Sequence, residues 1–320
     1  MTGPEAPPRV ELHCHLDGSV RPATIAELAE EQGIALPRPV RELAVAPARP
    51  IGLPGYIERI DVALAVLQTE RALRRAAAEL VEDWARDGIR YGEARFAPQL
   101  HRRRGLTLAQ VLDAVAEGLA EGAAATGVAA GLILCCLRPD PVATSIEVAE
   151  LAAENAHRVA GLDLAGDEAL PAAPHLPAFR IAHEAGLPIT IHAGEAGGPD
   201  EIRHALDEIG ARRIGHGVRA AGDEELVARL VRDAVPLEMC PTSNVQTGAV
   251  RSWAGHPALR LLRRGVRVTI STDARTVSDT TLTGEFALLR DRLGWTDADE
   301  RAALRNAADA AFLAAGRPER

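Results

Sequence analysis

Short apolar runs alternate with longer amphipathic stretches along most of the chain, and the two periodicities predict different elements. The runs at 10–15, 89–97, 129–137, 161–165, 188–192, 213–216, 236–240 and 266–272 read as internal strands rather than half-exposed ones. Between them, apolar residues recur at helical spacing over 69–86, 106–125, 145–157, 223–232 and 256–264, and several of these helices are closed by a Gly in the C-cap position. Strand–helix alternation implies a parallel sheet. Eight strands over a core of about 250 residues fit a closed (β/α)8 TIM barrel better than an open doubly wound sheet.

The stretch 35–55 departs from this rhythm. It is Pro-rich, lies between the first and second strands and is followed by two helical stretches, so it is expected to be an insertion over the barrel mouth that acts as a lid. With no longer repeat and no linker, residues 1–320 are expected to form a single domain.

Composition narrows the class. The 320 residues are 47% hydrophobic and 25% charged, enough for a large core, and no run approaches the roughly 20 apolar residues of a membrane span. The first ten residues lack the pattern of a secretion signal, so the expected compartment is the cytoplasm. Cys14, Cys135, Cys136 and Cys240 are too few for a disulfide framework and are expected to be reduced. A net charge of −9, with only one short basic run at Arg102–Arg104, argues against a nucleic-acid partner. All 36 basic residues are Arg, which excludes a Schiff-base lysine, a P-loop lysine and a lysine carbamate between two metals. Aromatic residues make up 3% of the chain and give few platforms for stacking bases, so a small-molecule substrate is expected.

His13 and His15 are two apart on the first strand, so both point to one face, the interior of a barrel at its C-terminal end. Taken alone, H-x-H is a weak signal. His192, His216 and Asp273 end the fifth, sixth and eighth strands, however, and the five groups would converge at one rim. Three neutral imidazoles and a carboxylate suit Zn²⁺ with a position left for water. Glu195, three residues beyond His192, is the candidate proton donor; the competing reading is an N-cap for the following helix.

Several strings resemble the adenosine deaminase family of the amidohydrolase superfamily. They are ELHCHLDGS with RPAT at 11–24, VLQTE at 66–70, GEARFAPQLH at 92–101, GLDLAGDE at 161–168, ITIHAGEAGGP at 189–199, RIGHGVR at 213–219, LEMCPTSNVQTGAV at 237–250, and STDAR with SDTTLTGEF at 271–286. The resemblance spans nearly the whole chain. It implies that His13, His15, His192 and Asp273 bind one Zn²⁺ per chain, that His216 orients a water and accepts or shares its proton, and that Glu195 protonates purine N1. It further implies that Gly166 offers its N–H to N3 and that Asp17 holds the ribose 5′-hydroxyl. His15 is placed against the substrate as well as the metal. The implied reaction converts adenosine or 2′-deoxyadenosine to inosine or 2′-deoxyinosine and ammonia. The competing readings are a tight turn for Gly166 and an N-cap for Asp17.

One position departs from the pattern. The family follows the liganding Asp with a second Asp or Asn that meets purine N7, and this chain has Ala274. Losing that contact in a closed site is worth about 1 to 3 kcal/mol. A 5′-modified adenosine, an aminodeoxyfutalosine-like nucleoside or a non-catalytic purine-binding role therefore stay open. The other histidines (His101, His157, His175, His183, His204 and His256) are expected to be structural, and Cys14 should point away from the metal into the helix layer. The sequence leaves the oligomeric state open.

Overall fold

A computed structural model of the chain describes residues 7–313. Its strands are β1 (Arg9–His15), β2 (Ile89–Phe96), β3 (Ala129–Leu137), β4 (Gly161–Ala165), β5 (Thr190–Ala193), β6 (Arg213–His216), β7 (Pro236–Met239) and β8 (Arg267–Ile270). They pair in parallel and in chain order, as β1-β2-β3-β4 and β5-β6-β7-β8. Two narrow junctions join these halves. At one, Leu162 N–H donates to Pro188 O at 3.0 Å. At the other, His15 N–H donates to Asp273 O at 2.6 Å and Asp273 N–H donates to His13 O at 2.8 Å. The ring is thus a closed (β/α)8 barrel, and its second junction ties the H-x-H strand directly to Asp273.

Strand ends differ from the sequence expectation at β5, which starts at Thr190 rather than 188. Pro188 has no N–H for a ladder, and it contributes only the carbonyl that closes the β4–β5 junction. The expected helices form, among them Glu70–Arg86, N-capped by Thr69, and Leu108–Thr126, opened by a Thr107/Gln110 capping box. Among the described residues no helix is long and apolar enough to cross a membrane. All four cysteines are free and buried.

The insertion after β1 folds into short helices at Val40–Ala44, Gly52–Ile57 and Asp61–Val66. It is fastened to the segments that follow β8 and β7: Ala46 N–H donates to Val277 O and Ile51 N–H donates to Gln246 O, both at 2.8 Å. Tyr56 is buried against Ala46, Ala274 and Val277, with its hydroxyl 2.7 Å from Ser278 Oγ. Leu53, Ile57, Ile60 and Leu64 are left facing the cavity beneath.

Candidate active site

The pleat of β1 turns Glu11, His13 and His15 into the barrel and Cys14 outward, where its Sγ lies 3.4 Å from Ser19 Oγ. His192 lies near the end of β5, His216 ends β6, and Asp273 follows β8 with a left-handed φ of 62°. Ligating atoms of His13, His15 and His192 lie within 4.8 Å of one another. Asp273 Oδ1 approaches His13 Nε2 at 3.6 Å and His15 Nε2 at 3.5 Å. His216 joins the cluster at 4.7 Å between its ring centroid and that of His13.

His13 Nε2 is buried and has no hydrogen-bond partner. An orphaned buried nitrogen beside two further imidazoles and a carboxylate is a costly arrangement for the chain alone and a good donor set for a metal cation. The electrostatics agree. Burial, reinforced by the Arg95 guanidinium, pushes His13 down to about 4, and burial holds His15 well below its ordinary value, so both lone pairs are free at neutral pH.

A buried charge network beneath these rings sets their orientation. His13 Nδ1 is 2.9 Å from Glu238 Oε2, and His192 Nδ1 is 3.0 Å from Asp163 Oδ2. Arg95 bridges the two carboxylates, with Nη1 3.0 Å from Asp163 and Nη2 2.8 Å from Glu238. Glu238 also accepts from Thr190 Oγ1 at 3.0 Å and Arg213 Nε at 2.5 Å. Each Nδ1–H is thereby spent on a carboxylate, and Nε2 is presented to the cavity. Burial alone would raise the Glu238 pKa, but Arg95 and Arg213 outweigh it and hold it well below the carboxylate range.

Glu195 sits on the turn after β5, which Glu168 grips by accepting the N–H groups of Gly194 at 2.7 Å, Glu195 at 2.9 Å and Gly197 at 2.8 Å. Its Oε1 accepts from Thr247 Oγ1 at 2.8 Å, and its Oε2 lies 3.7 Å from His216 Nε2. Burial raises its pKa. The next helix, Pro199–His204, has Gly198 at its N-cap and no side-chain cap, so Glu195 has no capping role. Asp17 does not cap Pro22–Glu31 either; it lines the cavity, accepts from Gly18 N–H at 3.0 Å, and is pushed up to about 6 by burial. Gly166, with φ 97°, also lines the cavity, and a Cβ there would stand 3.0 Å from Pro139 Cδ. Ala274 is fully buried. It packs so closely on Gly18 that a Cβ on that glycine would lie 2.4 Å away.

These groups surround a cavity of about 260 Å³ whose other walls include Leu53, Leu100 and Leu137. The model of the family described as adenosine deaminase matches residues 8–320. The chain belongs to the adenosine deaminase family. As a member it is a deaminase, a hydrolase of C–N bonds. It is 40% identical to the adenosine deaminase of Enterococcus faecalis over 311 residues, 96% of this chain and 92% of that one. Among solved structures it is similar to the adenine deaminase of Arthrobacter aurescens, with TM-score 0.90 and 32% identity over 96% of this chain and 94% of that one. It is also similar to a zinc-bound amidohydrolase from Burkholderia ambifaria, with TM-score 0.88 and 27% identity over 96% and 86%.

For this adenosine deaminase family member, the structure places His15, Asp17, Gly166, His192, Glu195, His216 and Asp273 at the cavity and His13 buried beside them, while sequence reasoning missed the residues that hold them. Asp163, Glu238, Arg95 and Glu168 were legible only as charged residues in or next to apolar strand runs. Ser243, which donates to Asp273 Oδ2 at 2.5 Å, and Asn244, 3.0 Å from His216 Nδ1, lie inside the CPTSN string without having been given a role. His175 is held by Ser145 Oγ and the Arg138 carbonyl, as expected of a structural histidine, and His101 meets the Leu67 carbonyl through Nδ1 while its buried Nε2 has no partner among the described residues. His256 instead reaches Asn244.

Proposed function

We propose that the protein is a zinc-dependent aminohydrolase that converts adenosine and 2′-deoxyadenosine to inosine and 2′-deoxyinosine with release of ammonia. The observation that carries this reading is a buried carboxyl, Glu195, that lines the same cavity as His15, His192, His216 and Asp273, with Oε2 3.7 Å from His216 Nε2 and its pKa raised by burial. His13, His15, His192 and Asp273 would hold one Zn²⁺, which when bound lowers the pKa of a water so that it is a nucleophile near neutral pH.

The chain's own groups do the rest. Glu195 keeps its proton to a higher pH than an exposed glutamate and delivers it to N1, which draws electrons from C6 as water adds there. Asp273 accepts a hydrogen bond from that water, and His216 orients it. Loss of ammonia from C6 completes the exchange. Gly166 N–H meets N3, Asp17 takes the 5′-hydroxyl, and His15 borders the bound nucleoside. The cavity lining holds carboxylates at Asp17, Asp167, Glu195 and Asp273 and no Arg, which disfavours a phosphorylated substrate. The same reading has the chain working in the cytoplasm as one barrel domain on a small purine, with neither nucleic acid nor membrane as partner.

A second reading, a 5′-modified adenosine or an aminodeoxyfutalosine-like nucleoside, is favoured by Ala274 and by the apolar outer wall of Leu53, Ile57, Ile60 and Leu64. A purine-binding protein without turnover is disfavoured by the complete set of metal-site residues and Glu195. The deciding experiment measures kcat/KM for ammonia release from adenosine, 2′-deoxyadenosine, adenine and 5′-modified adenosines with metal-quantified protein. Adenosine should lead the series. Turnover confined to a 5′-modified member would favour the second reading, and adenosine binding without consumption would favour the third.

A further inference from the structure

His216 has two ring nitrogens with different surroundings. Nε2 faces the cavity, 3.7 Å from Glu195 Oε2, and Nδ1 faces the Asn244 amide nitrogen at 3.0 Å. Which nitrogen carries the proton decides whether the ring gives or takes a hydrogen bond at the reacting water. Hydrogen bonds behind the ring answer this, starting from a backbone N–H that can only donate.

Ala258 N–H donates to His256 Nδ1 at 3.2 Å, so that nitrogen must offer a lone pair. In the neutral ring of buried His256 the hydrogen is then on Nε2, which lies 3.3 Å from Asn244 Oδ1 and donates to it. This fixes the Asn244 amide, because the flipped amide would aim its N–H at the N–H of His256. The amide nitrogen of Asn244 therefore donates to His216 Nδ1, and the hydrogen of neutral His216 is on Nε2. Asn244 and His256 are themselves buried, and Asn244 lies on the short helix Pro241–Gln246 after β7, with its N–H donating to Cys240 O at 2.8 Å.

We propose that Asn244 and His256 are positioning residues that lock His216 as the Nε2–H tautomer, so that His216 acts as a hydrogen-bond donor to the oxygen of the attacking water and not as its base. A neutral ring in this state has no lone pair facing the cavity. The proton released as the water's oxygen bonds to C6 consequently goes to a carboxylate, Asp273 or Glu195, which bound the same cavity. The catalytic meaning rests on the deaminase reading above; the tautomer is a property of the chain itself.

The test records long-range ¹⁵N–¹H couplings of ¹⁵N-histidine-labelled, zinc-loaded protein, with the His216 signals assigned through Asn244→Asp and His256→Ala. The wild type should show His216 protonated on Nε2, and Asn244→Asp, which can only accept at Nδ1, should move the hydrogen to Nδ1. An Nδ1–H tautomer in the wild type would overturn the proposal, whatever the substrate proves to be. In kinetics, Asn244→Asp should lower kcat by about 100-fold or more, with a much smaller change in KM. His256→Ala, which frees the amide to rotate, should lower kcat by about 10-fold, and His256→Gln, which restores an N–H donor to Asn244 Oδ1, should recover most of it. Equal loss in His256→Ala and His256→Gln, with an unchanged tautomer in both, would reduce His256 to a packing role and refute the lock. Absence of adenosine turnover in a wild type with the expected tautomer would count against the proposed substrate and leave the lock standing.

Discussion

Replacing Glu238 with Gln changes one atom and should be among the most damaging conservative substitutions in this barrel. The carboxylate takes four donors: Thr190 Oγ1 and Arg213 Nε on one oxygen, His13 Nδ1 and Arg95 Nη2 on the other. Glutamine keeps one acceptor oxygen, and its NH₂ must face one of the two donor pairs, so two hydrogen bonds to a charged group are lost. At about 1.5 to 3 kcal/mol each the loss is roughly 3 to 6 kcal/mol, which matches the 3 to 5 kcal/mol typical of breaking a buried ion pair. Against an ordinary net stability of about 5 to 15 kcal/mol, the variant should fold but sit near the margin. His13 also loses the anion that fixes its ring, and metal affinity should fall about 10- to 100-fold. Urea unfolding followed by circular dichroism reads the first effect as a lower midpoint at unchanged slope, and chelator competition for zinc reads the second. A variant within about 1 kcal/mol of wild type that binds zinc equally well would refute the assignment of Glu238 as the common acceptor beneath the site.

Other expectations follow from the same geometry. Glu195→Gln should retain a full zinc complement and lose turnover by about 100-fold or more; near-normal activity would contradict delivery of a proton to N1. Asp273→Ala should lose both zinc and activity, and a full metal content by atomic absorption would mean that another group completes the ligand set. Burial pushes Glu285, which accepts from Thr242 N–H and Thr280 Oγ1, up to about 7 from 4.5. The stability from its retained proton is therefore complete below about pH 4.5 and is lost as pH rises through 7, an effect on the order of 3 kcal/mol at most. Glu285→Gln, with an acceptor for Thr242 and a donor for Thr280, should match wild type in thermal denaturation at pH 5 and exceed it at pH 8; parallel curves would rule out the shifted carboxyl. Gly18→Ala should cost about 1 to 3 kcal/mol, because its Cβ would stand 2.4 Å from that of Ala274. The strain falls on the residue after Asp273, so weaker zinc binding should accompany the lower melting temperature.

Much of the site was written into the chain locally. The two-residue spacing of His13 and His15 fixes that they share a face, because a pleated strand alternates its side chains whatever surrounds it. Strand ends capped by His192, His216 and Asp273 put those groups at one rim once eight parallel strands close, since active groups of such barrels gather at the C-terminal ends of the strands. The carboxyl at 195 follows from its place three residues beyond His192, whereas Gly166 and Asp17 were marked only by the resemblance of their strings, GLDLAGDE and HLDGS, to the family. What periodicity does not contain is which inward charges meet. Arg95 and Glu238 stand 143 positions apart, and His13 and Glu238 stand 225 apart. Their pairing depends on the stagger of the strands around the closed ring. The insertion shows the same limit: its Pro-rich composition marked it, but only the structure packs Tyr56 against Ala274 and fastens Ala46 and Ile51 to the segments after β8 and β7. His256 looked like any structural histidine, and its part in the chain from Ala258 to His216 appears only when the short helix after β7 brings Asn244 against His256, just before the helix Ala258–Arg263. Local geometry fixes the direction in which a side chain points; the partner it finds in a low-dielectric interior is decided by ring closure, which no short window of sequence encodes.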